Sequence, residues 1–488
     1  MNVIQSTIAK SIIVLVIIMA FVICMLTSCV GSKSYAVNKY FYNPVNVAEE
    51  MGDPWMLFHD GYYYYTHSDG VSVTITRTKH ITDVQQQTIN SKQVFFGELN
   101  GLTQIWAPEI YFVDGHFYAY FAADTDNNNI LHRMYSIKSK TDDPFGEWEL
   151  MGKLNLPADQ WAIDGTLLET DDGKLYTIWA GWKDVSEGAR QYKQYLYIAE
   201  CEGRDPTKIK SEQRVLISTP TLLWETGDLP QNEGPAILKS PKGTVYCVYS
   251  ANFSGKDNYA LGYLQLNGDP MKSESWKKSP EPLASTLNED DNVISPGHCS
   301  FVKSPDGKED WIIYHATKAS GAEWDRSARV QKIDWIDDRP VFIPKPLCEK
   351  IALPSGEKVK RTGFEIEKGK LSQSAKITEY KNASGQKAVT FTDSDASSTI
   401  VINVKKEGSY SFVMRHNNPS GRSSNFNVQV NDGGPMQVFA GRTVDDREFS
   451  TAGFTIPLEK GKNTLVFTSF SDVELDLLIM NNEPIIIE

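Results

Sequence analysis

Short apolar and aromatic runs, each followed by turn residues and a second such run, recur through the first 350 positions of the chain. The clearest unit is Trp161 to Trp182. Thr166 to Glu169 reads as one strand and Asp172-Gly173 as a turn. Leu175 to Trp179 reads as a second, largely buried strand of β-branched, aromatic and aliphatic residues. The same phrase begins at Asp53, Ala107, Glu233 and Gly297, which makes five copies. If Asp53, Glu109, Asp164, Glu233 and His298 mark a common position, successive copies lie 56, 55, 69 and 65 residues apart. That is the length of a four-stranded propeller blade. The pattern therefore predicts an all-β chain, with a five-bladed β-propeller over residues 40–351 and the first strand of each blade lining a central channel.

The pattern then changes. Residues 352–362 are polar, contain Pro and Gly, and read as a linker. Residues 363–488 alternate apolar and polar positions in short runs such as Thr399 to Val404, Tyr410 to Arg415 and Leu475 to Met480, which predicts a β-sandwich. At the other end, Lys10 precedes an unbroken apolar run of 15 residues, Ile12 to Leu26, which suits a signal-peptide core and is short for a membrane span. Residues 1–28 are expected to be removed and 29–39 to form a polar tether.

Composition narrows the function. Hydrophobic residues make up 41% of the chain, enough for buried cores, and 49 basic against 62 acidic side chains argue against nucleic acid as a partner. Cys201, Cys247, Cys299 and Cys348 match neither a zinc pattern nor a small disulfide framework. A ring of Asp53, Glu109, Asp164, Glu233 and His298 at one end of a channel would be costly as structure alone, because buried like charges raise one another's pKa. It reads as an active site.

Four motifs on successive repeats carry a resemblance: Gly52-Asp53-Pro54-Trp55, Trp106-Ala107-Pro108-Glu109, Ile163-Asp164-Gly165-Thr166 and Asn232-Glu233-Gly234-Pro235. In this order they resemble family 43 of the glycoside hydrolases. The resemblance implies an inverting glycosidase with Asp53 as general base, Asp164 as the residue that orients the acid and tunes its pKa, and Glu233 as general acid. It also implies that Trp106 is a sugar-stacking platform, with a packed core tryptophan as the alternative. His298 is expected to reach the axis and to meet a calcium ion through water, and Arg329, in Arg329-Val330-Gln331, to reach the bound sugar. Leu26-Thr27-Ser28-Cys29 resembles a bacterial lipobox, which implies lipidation of Cys29 and a membrane-anchored protein on the periplasmic or cell-surface side of the envelope. The second domain resembles carbohydrate-binding modules of families 6 and 35, which would make Glu367 and Asp476 ligands of a structural calcium ion.

The activity implied is exo-acting release of a terminal pentose from arabinose- or xylose-containing glycans, foremost as an α-L-arabinofuranosidase, by a monomer. A β-xylosidase, a galactofuranosidase or a galactan exo-hydrolase would use the same residues. A glycan-binding protein without catalysis is the alternative of another class. Because every candidate catalytic group precedes residue 352, the sandwich is expected to be separable from the chemistry.

Overall fold

The computed structural model describes residues 32–47, 51–186, 191–286, 293–445, 448–469 and 472–487. Cys29 and the expected signal segment lie outside them. Five antiparallel sheets follow one another along the chain. Their innermost strands are Gly52–His59, Thr103–Val113, Ala162–Glu169, Asn232–Lys239 and Ile294–Lys303. Each inner strand packs beside the next, and the fifth returns to the first, so the sheets form a closed ring. The second strands are almost wholly buried, as their apolar runs require: Leu175–Gly181 and Asp310–Thr317 have no exposed residue.

Neighbouring sheets are joined by hydrogen bonds as well as by packing. The Trp55 indole donates to the Ile110 carbonyl at 3.0 Å, and the Met56 N–H donates to Ser300 Oγ at 3.0 Å. Asn43 closes the ring where the chain enters it. Its amide donates to the Val330 carbonyl and accepts from the Val330 N–H, each at 3.0 Å. Tyr40–Phe41 pairs with Ile351–Ala352, so the chain enters and leaves the ring side by side.

The second domain has two sheets facing one core that includes Phe412, Phe426, Phe454, Leu465 and Phe467. One feature departs from the sequence reading. Ser34–Ala36, expected within a free tether, pairs with Arg361–Glu365 and extends a sandwich sheet. Alternation there is too short, at three residues, to announce a strand.

The two domains share a polar interface. Buried Arg361 pairs with Asp83 at 2.6 Å, and Asn481 donates to the other oxygen of Asp83 at 3.0 Å. The Arg415 guanidinium lies over the Tyr42 ring at 4.2 Å. Removing one partner of a buried ion pair strands the other charge. Asp83→Ala should therefore lower stability by about 3 kcal/mol, read as a lower urea midpoint of the unfolding transition. An unchanged midpoint would mean that this pair does not hold the interface.

Candidate active site

Each inner strand begins with the same irregularity. The strand register slips at Gly52/Trp55, Trp106/Glu109, Ile163/Thr166, Glu233/Ala236 and Gly297/Cys299. At each slip one residue has positive φ: Asp53 at 50°, Ala107 at 43°, Asp164 at 53°, Gly234 at 54° and His298 at 35°. Such a bulge re-aims a side chain, and a non-glycine residue held there is strained. The five bulges define the true common position. By that register Asp53, Asp164 and His298 are equivalent, Glu233 lies one residue earlier, and Glu109 lies two residues beyond Ala107. Glu109 is accordingly fully buried, takes a hydrogen bond from the Tyr111 hydroxyl, and is pushed well above the usual carboxyl range by burial.

Asp53 is the most heavily braced of the carboxylates. Ser68 Oγ donates to its Oδ2 at 2.8 Å and also receives the Ala107 N–H at 2.7 Å, tying the first bulge to the second. Arg326 Nη1 lies 3.2 Å from Asp53 Oδ1. Gly52 makes room for it, since a Cβ there would sit 3.1 Å from the same nitrogen. His298 Nδ1 is 3.3 Å from Asp53 Oδ1, and His315 Nδ1 accepts the Asp53 backbone N–H at 3.2 Å. Burial pushes both imidazoles below their ordinary values, and the Arg326 guanidinium adds a positive charge beside Asp53. Burial alone would raise Asp53, but His298, Arg326 and the Ser68 hydroxyl outweigh it and hold the carboxyl below its usual range.

Glu233 is in the opposite condition. Burial pushes its carboxyl up to about 7, the nearby Asp53 charge adds to that, and a 2.8 Å hydrogen bond from Tyr259 works against it. Asp164 accepts the Gly234 N–H at 2.9 Å and is itself raised, by burial first and then by the charge of Glu233. The sequence reading had Asp164 as a bare anion beside Glu233. In the structure burial raises both carboxyl groups, and the charge of Glu233 raises Asp164 further.

The other expected residues are placed as follows. Trp106 is half-buried, with its ring stacked at 3.9 Å on His132. Arg329 does not approach Asp53. It is buried toward Tyr314 and the sandwich residue Glu448, whereas Arg326 lies against Asp53. The two arginines are three residues apart on Arg326–Ile336, and alternation sends them to opposite faces. Asp476 pairs with Arg415 at 2.5 Å and accepts the Ser384 N–H at 2.9 Å, so a guanidinium already meets its charge and it does not fit a calcium ligand. Glu367 lines a separate surface cavity with Lys33, Lys368 and Lys387. Nδ1 of His298 is turned to Asp53, which leaves Nε2 for a water-bridged axial ion. Among the described residues no three His, Cys, Asp or Glu side chains converge as a metal site.

Sequence reasoning missed Arg326, Tyr259, His315 and Ser68. Arg326 stands beside a recognisable segment, whereas the other three lie on second and third strands or at their ends and carry no motif.

With this geometry in hand, comparison with known proteins is informative. Residues 41–340 match glycosyl hydrolases family 43. The chain belongs to that family. It is 33% identical over 315 residues to an extracellular exo-α-(1→5)-L-arabinofuranosidase of Streptomyces avermitilis, covering 62% of this chain and 63% of that one. It is 30% identical over 336 residues to α-L-arabinofuranosidase 43 of Humicola insolens, covering 66% of each. The chain thus spans less than two thirds of the length of either relative. Among solved structures, an α-L-arabinofuranosidase from Lactobacillus brevis matches with a TM-score of 0.57 and 31% identity, covering 63% of this chain and 98% of that one. An exo-β-1,3-galactanase from Phanerochaete chrysosporium matches over 92% of this chain and 99% of its own, with a TM-score of 0.53 and 14% identity, a likeness of fold.

The Tyr259 hydroxyl stabilises the ionised form of Glu233. Tyr259→Phe should therefore raise the Glu233 pKa above about 7, as followed by carboxyl carbon NMR in protein labelled at glutamate. An unmoved titration would show that this bond does not tune the group.

Proposed function

We propose that this family 43 protein is an exo-acting, inverting α-L-arabinofuranosidase. The observation that carries the mechanism is the division of labour at the channel mouth: one carboxyl group held ionised beside a fixed guanidinium, another kept protonated by burial. Inversion needs that pair, one group to draw a proton from water and the other to give one to the departing oxygen. In this reading Asp53 is the base and Glu233 the acid. Asp164 holds the Gly234 N–H and so fixes the backbone next to Glu233. The sugar assignment rests on the arabinofuranosidase relatives, whose names carry that activity.

The same proposal takes in the rest of the chain. The five sheets are read as the five blades of a propeller, and the second domain as a sandwich of the carbohydrate-binding-module type of families 6 and 35. Lipidation of Cys29 would hold the enzyme at the outer or periplasmic face of an envelope, consistent with relatives described as extracellular. Calcium on the axis, met through water by His298, would add positive charge near Asp53, and no step of hydrolysis passes through it.

A panel of aryl glycofuranosides and glycopyranosides tests the sugar. Arabinose release is expected, and proton NMR of the first product should show the inverted anomer. Xylose or galactose release would transfer the assignment to another activity of the family, retention would refute Asp53 as base, and binding without release would leave a glycan-binding protein. The roles separate by leaving group. Glu233→Ala should lose at least about a hundredfold on an alkyl glycoside and far less on a dinitrophenyl one, whereas Asp53→Ala should lose both alike. Equal losses for Glu233→Ala on good and poor leaving groups would move the acid role elsewhere.

A further inference from the structure

The connection from the second to the third strand of the fifth sheet, Lys318 to Asp325, leads directly into Arg326. It carries Trp324, the one tryptophan of the chain that is half exposed, at 51%. The indole is close to the catalytic groups. Its Nε1 donates to Ser254 Oγ at 3.3 Å, and the Ser254 carbonyl accepts from Arg326 Nη2 at 3.1 Å while Nη1 of the same guanidinium faces Asp53. One edge of the ring rests against Phe253, 5.7 Å away and nearly perpendicular, and Gly255 leaves space for it. An exposed, rigid aromatic surface beside a pocket that takes one sugar is placed to meet the rest of the glycan.

The connection is pinned from two sides. Ser320 Oγ and the Gly321 N–H both donate to Asp257 on the neighbouring sheet, at 2.5 and 3.0 Å. On the other side the sandwich takes part. Asp325 is shared between Lys318, at 2.7 Å, and Arg442 of the second domain, at 2.9 Å. Lys318 also lies 5.4 Å over the ring of Phe439, and Arg442 is held in its own domain through the Gly421 carbonyl at 3.1 Å. One carboxylate thus lies between two cations, each of them also held elsewhere.

We infer that Trp324 is a glycan-contacting, specificity-determining residue just outside the sugar pocket, and that Arg442 of the sandwich is a positioning residue that holds it there through Asp325. The second domain is then part of the site for the longer glycan, while the chemistry itself stays in the first domain. Arg326 keeps its own anchors on Asp53 and Ser254, so loosening the connection should weaken glycan binding and leave bond cleavage intact.

The inference rests on the arabinofuranosidase reading, and the test separates the two. Steady-state kinetics are measured on a linear α-1,5-arabinotetraose and on methyl α-L-arabinofuranoside, which has no glycan beyond the pocket. Trp324→Ala and Arg442→Ala should each raise KM for the tetrasaccharide, the first about tenfold, with kcat within twofold. Both should leave kcat/KM on the methyl glycoside unchanged, and Arg442→Lys should keep the parent KM. The double variant should be no worse than Trp324→Ala, because the arginine acts through the indole. The inference is overturned if Trp324→Ala leaves the tetrasaccharide KM unmoved, if the two effects multiply, or if both substrates suffer equally. A parent enzyme inactive on both substrates would refute the arabinose assignment instead, and the same comparison then runs on the glycan that the panel shows it to cleave.

Discussion

The backbone bulge that opens every inner strand is the constraint on which the rest of the site depends. A regular strand would point alternate side chains along the sheet faces. The left-handed residue at each bulge turns the chain so that Asp53, Asp164 and His298 face the common axis. Holding a non-glycine residue there costs roughly 1–2 kcal/mol, and of the four such residues, Asp53, Ala107, Asp164 and His298, the ring fixes three from outside. The Asp53 backbone N–H is received by His315, the His298 N–H by Ser250 Oγ at 2.8 Å, and the Ala107 N–H by Ser68. Each of these acceptors lies on the second strand of a sheet, so hydrogen bonds inside and between sheets preserve the strain at the mouth.

Burying three carboxyl groups together would unfold the mouth if all were ionised. The structure resolves this by setting His298, Arg326 and the Ser68 hydroxyl against one of them. His298 and Arg326 sit against Asp53, and that carboxyl alone of the three is held below its usual range, while Asp164 is raised by burial and then by Glu233, and Glu233 by burial and by Asp53. The asymmetry that general acid and base catalysis requires thus follows from His298, Arg326 and Ser68 all meeting Asp53. It also explains why the fifth-sheet connection matters, since the residue that polarises the site follows directly from the segment braced by the sandwich.

Much of this was legible in the sequence. Period-two runs separated by Asp-Gly and Lys-Gly turns gave the sheets, and the strands seen at Ser398–Val404 and Glu474–Asn481 lie within a residue or two of the predicted ones. Asp53, Asp164 and Glu233 were named from motifs and do meet at the mouth. Register was not legible, because a bulge inserts a residue without leaving a mark in composition. That is why Glu109 was aligned with Asp53 when it lies two residues deeper. Arg326 was missed for a related reason: the motif flags a segment, while alternation along the strand decides which arginine meets Asp53. Tyr259 could not have been found at all, for it reaches Glu233 from the start of a third strand. Its only trace is Gly297, where a Cβ would lie 2.0 Å from the Tyr259 ring.

In the proposed mechanism one mouth holds an ionised base and a protonated acid, with Arg326 among the groups that hold the base ionised. The pH dependence of kcat/KM for the parent enzyme and for Arg326→Ala tests it most directly. The parent should give a bell with its basic limb near 7, from Glu233, and an acidic limb below the ordinary carboxylate range, from Asp53. Loss of the guanidinium removes a charge that favours both ionised Asp53 and ionised Glu233, so the acidic limb should move to higher pH and the basic limb should rise with it. A parent profile without a basic limb, or an acidic limb unmoved in Arg326→Ala, would contradict the account.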